Sequence, residues 1–323
     1  MVACSSSGEL GGGAPAGDAT STGDSSGSGG DGGLVGDAHA GGDARSGDAL
    51  GPPGDSGTLS SIVTECASAP AEWIWCDDFE QDRTANYFEG SLSPVPGAGI
   101  AGSAGTVNQY TAGNSGAGGL KVAFGRTPST YFAPVDAGTA DYRDIYWRMY
   151  LRHPSNWNGG GADKLSRATI MAGSNWAQAM IGHVWSGSDP GAGANYLGMD
   201  PASGTDASGV LQTTQYNDFA NLRWLGWQRG TTPLFDSAHL GQWHCVEAHV
   251  RLNDSGANNG VFELWVNGNL EASHIDLNWV GNYNAYGINA VFIENYWNAT
   301  SPVDQARNFD NFVVSTARIG CGS

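Results

Sequence analysis

The chain has 323 residues, of which 50 are Gly and 13 Pro, and only 14% of its side chains are charged. Fourteen basic residues face 32 acidic ones for a net charge of −18, and only two of the bases, Lys121 and Lys164, are lysines. That balance argues against a nucleic-acid partner, whose phosphates need Lys and Arg, and against docking on an anionic membrane surface; no apolar run reaches the ~18–20 residues of a transmembrane span. Twelve Trp, 11 Tyr and 10 Phe, set against so few Lys, point to β structure with wet aromatic surfaces.

Residues 1–65 are read as a disordered acidic linker. The first 60 hold 18 of the glycines and no Phe, Tyr, Trp or Lys, and a loose Gly-Asp-Ala unit recurs at Gly17, Gly36, Gly42 and Gly47. Such a chain buries too little apolar surface to offset its ordering entropy. Met1-Val2-Ala3-Cys4 followed by Ser and Gly looks like the end of a lipobox, which makes Cys4 a candidate lipid anchor. The apolar segment that precedes such a cysteine is not in the sequence, so an ordinary secreted chain with a flexible leader is the competing reading.

Residues 66–323 carry 23 acidic and 13 basic side chains and are long enough for one large core. Strand-like runs recur between Gly, Asn, Ser and Pro turns: Trp73–Phe79, Leu120–Phe124, Ile145–Leu151, Ala168–Met171, Met180–Trp185, Trp243–Leu252, Val261–Val266, Ala290–Ile293 and Phe309–Ser315. Alternation is clearest in Val261–Val266, which meets the hairpin dipeptide Asn267-Gly268. No long window shows a helical period with caps. The expected fold is all-β, a jelly-roll sandwich of two antiparallel sheets with one concave face. Cys66, Cys76, Cys245 and Cys321 have no zinc-like spacing and read as two disulfides of an exported chain, with three connectivities open.

Three stretches carry a resemblance: Cys76-Asp77-Asp78-Phe79-Glu80, Leu264-Trp265-Val266-Asn267-Gly268, and Phe309-Asp310-Asn311-Phe312 running on to Cys321. They resemble the concanavalin A-like jelly rolls, and more closely the glucuronan-lyase-like polysaccharide lyases. Trp243–His249 also matches a cysteine-bearing strand of that group. The resemblance implies a Cys245–Cys321 bridge, leaving Cys66 to pair with Cys76. It further implies a structural Ca²⁺ held by Glu80, Asp310 and the Ser115 carbonyl. Gly118 stands where relatives have a turn asparagine, so that ligand must come from Asn114, another carbonyl or water.

No E-x-D-x-E strand, G-x-S-x-G elbow or phosphate loop is present. β-Elimination on a uronate polymer instead needs a group to neutralise the sugar carboxylate, a base for the C5 proton and an acid for the departing oxygen. By resemblance, Arg167 falls where relatives carry a histidine, Gln178 at a polar concave position, and Tyr296 where a catalytic tyrosine is placed. His183 can serve as base, although strand parity from Gln178 puts it on the opposite face unless a bulge intervenes. An ion pair between Arg167 and an acid such as Asp163 is the structural competitor. Tyr196, Arg223, Trp224, Trp227 and Trp297 are the candidate sugar-binding residues. The remaining folded-region histidines have no spacing with chemical meaning.

The function expected is a secreted lyase acting on a uronic-acid-containing polysaccharide, monomeric, with no nucleic-acid partner and no transmembrane span. The alternatives are a non-catalytic carbohydrate-binding module and a glycoside hydrolase built on Asp200 and Glu294.

Overall fold

The computed structural model describes residues 65–80, 83, 86, 100–101, 106–110, 120–124, 130–132, 141–157, 163–186, 195–297 and 305–322. The described residues all belong to one compact unit, Thr58–Ser323. The acidic leader with Cys4, and the turn with Asn114, Ser115 and Gly118, lie outside the described residues.

Strands are numbered along the chain. The first sheet contains β1 (Trp73–Asp77), β2 (Ile100–Ala101), β3 (Thr106–Tyr110), β4 (Leu120–Phe124), β6 (Asp144–Arg152), β12 (His244–Arg251), β13 (Gly260–Val266), β14 (Asn269–Leu277) and β16 (Gln305–Ser315). Its order is β14-β13-β12-β6-β16-β4-β3-β2, with β1 also paired to β16. The second sheet contains β5 (Thr130–Phe132), β7 (Asp163–Met171), β8 (Gln178–Ser186), β9 (Leu197–Ser203), β10 (Arg223–Trp224), β11 (Gln228–Arg229) and β15 (Ala290–Trp297). Its order is β10-β9-β8-β7-β15-β5, with β11 also paired to β9. All pairings are antiparallel. Helical structure among the described residues is limited to short 3-10 turns, and none is long and apolar enough to cross a membrane.

Local chemistry explains the edges of these elements. Asn267 and Gly268 both take positive φ, 49° and 82°, which a two-residue turn between right-twisted strands requires. The first strand stops at Asp77 rather than running on to Phe79, because Phe79 turns into the left-handed region with φ 55° and buries its ring. The core lies between the sheets: Trp147, Met149, Phe262, Phe309 and Phe312 from one side meet Ala168, Ile170, Val184, Met199 and Val291 from the other. Both disulfides pair as the resemblance implies, Cys66 with Cys76 and Cys245 with Cys321. The folded body begins at least at Glu65, whose carboxylate reaches the buried Arg148 guanidinium at 2.6 Å.

Three register shifts shape the second sheet. Ile170 pairs with Met180 but Met171 with Gln178, so β8 holds one extra residue there. Lys164 pairs with Trp185 but Ser166 with Val184, so β7 holds one extra residue at Leu165. Between Ile293 and Tyr296, β15 is again one residue longer than β7. Each bulge reverses which face the following side chain occupies.

Candidate active site

Face parity, corrected for the bulges, assembles one group of polar side chains on the face of the second sheet opposite the core. Arg167 on β7 lies directly between Phe292 on β15 and His183 on β8, and His183 in turn faces Asp200 on β9. The β8 bulge brings Gln178 onto this same face, where its amide nitrogen donates to Thr169 Oγ1 at 3.0 Å. The parity objection to grouping His183 with Gln178 is thereby removed. The β7 bulge turns Lys164 onto the face as well, beside Trp185. Lys164 has no signal in the sequence, because plain alternation from Arg167 would put it in the core.

The loop after β9 closes over this face. Thr213 Oγ1 donates to the Gln178 carbonyl at 2.8 Å, and the Asn217 backbone N–H donates to Gln178 Oε1 at 2.9 Å. Asp218 ties the loop to itself by accepting from the Thr214 N–H and hydroxyl and the Asn221 amide, which holds its carboxyl below the usual range. Arg167 donates to Asn217 Oδ1 at 2.9 Å and to the Tyr216 hydroxyl. Beneath the loop Ile181, Ala202 and Leu222 pack together.

Arg167, His183 and Glu294 are shut off from solvent. Arg167 Nη2 lies 3.3 Å from Glu294 Oε1, and His183 Nε2 lies 3.5 Å from Glu294 Oε2. The second contact is longer than a good hydrogen bond, and among the described residues neither imidazole nitrogen makes one. Among the described residues, His183 Nδ1, His183 Nε2, Trp185 Nε1 and Glu294 Oε2 are all buried without a hydrogen-bond partner. Buried polar atoms in that state are rare, and four together on one face call for an explanation.

The cluster drives its ionisable groups apart. Burial pushes His183 down to about 4 against the pull of Glu294, so the ring is neutral at neutral pH. Burial alone would raise Glu294, but Arg167, His183 and Lys164 outweigh it and hold the carboxyl at about 2. Burial lowers the Lys164 ammonium to about 8, with Glu294 resisting and Arg167 adding to the fall. Its Nζ sits 5.1 Å from the Phe219 ring centroid and 5.9 Å from that of Trp185. Asp200 makes no hydrogen bond or ion pair among the described residues, and burial raises its carboxyl to about 7.

Aromatic rings form the rim. Phe219 and Trp224 stack at 6.1 Å, and both are exposed, as is Trp227. The Trp227 ring lies so close over β9 that a Cβ at Gly198 would stand 2.0 Å from it. Tyr196 is half-buried under the Arg229 guanidinium, 4.5 Å from its centroid. Arg223 points elsewhere: it donates to the Asn278 carbonyl at 3.2 Å and lines a pocket with Leu225, Asn258 and Asp276 at the edge of the sandwich. Tyr296 and Trp297 pair through their backbones with Lys164 and Asp163, and their side chains lie outside the described residues. Of the residues expected to hold calcium, Asp310 is fully buried, Glu80 is half-buried and Ser115 is not described; among the described residues no group of three or more His, Cys, Asp or Glu could hold a metal.

The endo-β-1,4-glucuronan lyase of the fungus Trichoderma reesei superposes on this chain with a TM-score of 0.52 at 11% identity, covering 76% of this chain and 96% of that one. The fold is that of a jelly-roll polysaccharide lyase. Alginate lyase vAL-1 from Chlorella virus is also similar (TM-score 0.48, 13% identity, 65% of this chain and 89% of that one). So is the cellulose induced protein Cip1 (TM-score 0.43, 19% identity, 77% of this chain and 100% of that one). No protein-family model and no curated protein matches the sequence. Identities this low establish the architecture alone.

Proposed function

We propose that the protein is a polysaccharide lyase that cleaves a uronic-acid-containing polymer by β-elimination, with its site on the face carrying Lys164, Arg167, His183 and Asp200. The observation that carries this reading is the placement of Lys164: an amine desolvated between Phe219 and Trp185, beside Arg167, on a sheet face with an aromatic rim. A desolvated amine near 8 is partly free base at mildly alkaline pH, which is what proton abstraction from carbon requires.

Lys164 Nζ takes the C5 proton, and the C5–H electrons form the C4=C5 double bond. The C4–O bond then breaks, and its oxygen takes the proton of the Tyr216 hydroxyl. Arg167 donates to that hydroxyl, stabilising the phenolate left behind. Asp200, neutral up to about pH 7, can donate a hydrogen bond to the sugar carboxylate and so stabilise the charge that develops there. The unpaired atoms of His183, Trp185 and Glu294 offer donors and acceptors to sugar hydroxyls once the 213–222 loop lifts. This assignment moves the roles from His183 and Tyr296 to Lys164 and Tyr216, and makes Gln178 a loop anchor. A structural Ca²⁺ at Glu80 and Asp310 belongs to the proposal and supplies no step of the reaction. Two disulfides fit work in an oxidising compartment outside the cytoplasm.

Purified protein incubated with glucuronan, alginate and a neutral glucan tests the reading. Rising ultraviolet absorbance from an unsaturated uronate is the expected result with an acidic polymer. New reducing ends without that absorbance would mean hydrolysis and overturn it. A second reading, a non-catalytic binding module, is favoured by the closed loop over Arg167 and by the exposed Phe219, Trp224 and Trp227; binding of a polymer with neither signal would establish it.

A further inference from the structure

Arg307 is fully buried, yet it belongs to β16 of the first sheet and reaches across the sandwich interior to the second. Its Nη1 donates to the carbonyls of Lys164 at 3.0 Å and Glu294 at 3.2 Å, and its Nη2 donates to Ser186 Oγ. Its Nε donates to His153 Nε2 at 3.0 Å. One guanidinium therefore touches β7, β15 and β8 from the core side. His153 can accept because burial, and then the Arg307 charge, hold its ring well below the usual histidine range and so neutral. The Trp157 ring, 5.3 Å from Arg307 Cζ, packs against the planar head.

The two carbonyls are not arbitrary. The β7–β8 ladder shifts register between Lys164 and Ser166, and the β7–β15 ladder shifts between Ile293 and Tyr296. Bulges disrupt ladder hydrogen bonds locally, and at both shifts Arg307 supplies the donor. Those same bulges turn Lys164 onto the outer face and set Glu294 against Arg167. Stability is a poor account of such a residue: burying a guanidinium is costly, and apolar replacements of buried ionic groups are often neutral or stabilising. Geometry is the better account.

We propose that Arg307 is a positioning residue: by fixing the backbones of Lys164 and Glu294 from inside the sandwich, it aims the amine and the carboxylate into the site on the far face. The proposal rests on that face being the functional site.

The chain has only two lysines, so protein carrying ¹³C-lysine gives two side-chain signals, and a Lys121→Arg variant assigns them. The full-length wild type is compared with Arg307→Met, Arg307→Lys and Ser186→Ala. In Arg307→Met the Lys164 midpoint is expected to rise from about 8 toward the ordinary 10.5 as the amine loses its slot. Arg307→Lys, keeping a charge and an N–H donor group, adds a third lysine signal that an Arg307→Lys/Lys164→Arg double variant identifies; its Lys164 midpoint should fall between, and Ser186→Ala should shift in the same direction by less. Cleavage, read on the same samples, should show kcat falling roughly 10- to 100-fold with KM nearly constant, as misplacement of a catalytic group predicts. A folded Arg307→Met protein with the wild-type Lys164 midpoint overturns the proposal. Should that variant not fold, wild-type midpoints in both Arg307→Lys and Ser186→Ala overturn it equally. Wild-type protein that cleaves no uronate polymer would overturn the lyase reading instead, while the lysine titration still decides the role of Arg307.

Discussion

Arg167 and Glu294, from neighbouring strands of the second sheet, form a 3.3 Å ion pair from which solvent is excluded. Glu294 thus provides the carboxylate that sequence reasoning sought in Asp163. The pair holds the centre of the site: Arg167 carries the Tyr216–Asn217 loop on one side, and Glu294 faces His183 on the other.

Removing one member strands the other in a place without water. Glu294→Gln or Arg167→Met is expected to cost about 3–5 kcal/mol in chemical denaturation, the range for breaking a buried pair. The double variant should cost clearly less than the two single losses added together, because the second removal relieves the charge stranded by the first. Strictly additive losses would show that the two residues do not act as a pair.

Asp200 sets a different balance. Burial lifts its carboxyl in the folded protein to about 7, above the ordinary carboxylate range, so its stabilising share is complete below pH 4 and is lost as pH rises through 7. Asp200→Asn removes the titration. At pH 8 the variant should be more stable than wild type by a few kcal/mol, on the order of what a shift of ~3 pH units represents, and at pH 4 the difference should vanish. If Asp200 steadies the sugar carboxylate, the same change should lower the rate while it raises stability. Thermal melts at the two pH values check the first half: equal stabilisation at both would show that ionisation of Asp200 is not what costs the fold.

Much of the architecture was legible because it rests on alternation and turn chemistry. Val261–Val266 with Asn267-Gly268 reads as a hairpin from period and dipeptide alone, and the structure places β13 and β14 there. β9 was invisible for the converse reason: Leu-Gly-Met-Asp-Pro-Ala-Ser has little β propensity, and it is a strand because β8 on one side and β10 and β11 on the other pair with it. The site was legible only in fragments. Arg167, Gln178 and His183 could be named as polar residues on adjacent strands, but which face each occupies depends on single-residue bulges, and no local pattern marks those. The same blindness hid Lys164, since one extra residue at Leu165 moves it from the core to the groove. Tyr216 reaches Arg167 from a loop 49 residues further along the chain, a contact that only the tertiary fold creates.

The Ca²⁺ proposed at Glu80 and Asp310 would make the fold metal-dependent. Adding a chelator should lower the melting temperature, and restoring Ca²⁺ should return it, since a ligand bound only by the folded state stabilises in proportion to its occupancy. Asp310→Asn should abolish the difference between the two melts. Asp310 is buried, so this variant also reports what the carboxylate does without metal: if the wild type melts identically with and without chelator, no calcium is held there.

Trp224 offers the cleanest separation of binding from chemistry. Its ring is 43% exposed and stacks on Phe219, whose own ring lies 5.1 Å from Lys164 Nζ. Being exposed, it contributes little to the core, so Trp224→Ala should fold normally. Stacked aromatic contacts are worth about 0.5–1.5 kcal/mol, which corresponds to a roughly 2- to 10-fold weaker KM for the polymer. Because Trp224 touches no group that moves a proton, kcat at saturating polymer should stay near wild type. Phe219→Ala differs in kind: it uncovers the Lys164 amine, so it should weaken binding and also move the rising, acid-side limb of the pH–rate profile to higher pH as the amine regains water. A Trp224→Ala protein that binds as tightly as wild type would place the sugar track elsewhere on the sheet, and a Phe219→Ala protein with an unmoved pH profile would show that Lys164 is not the base.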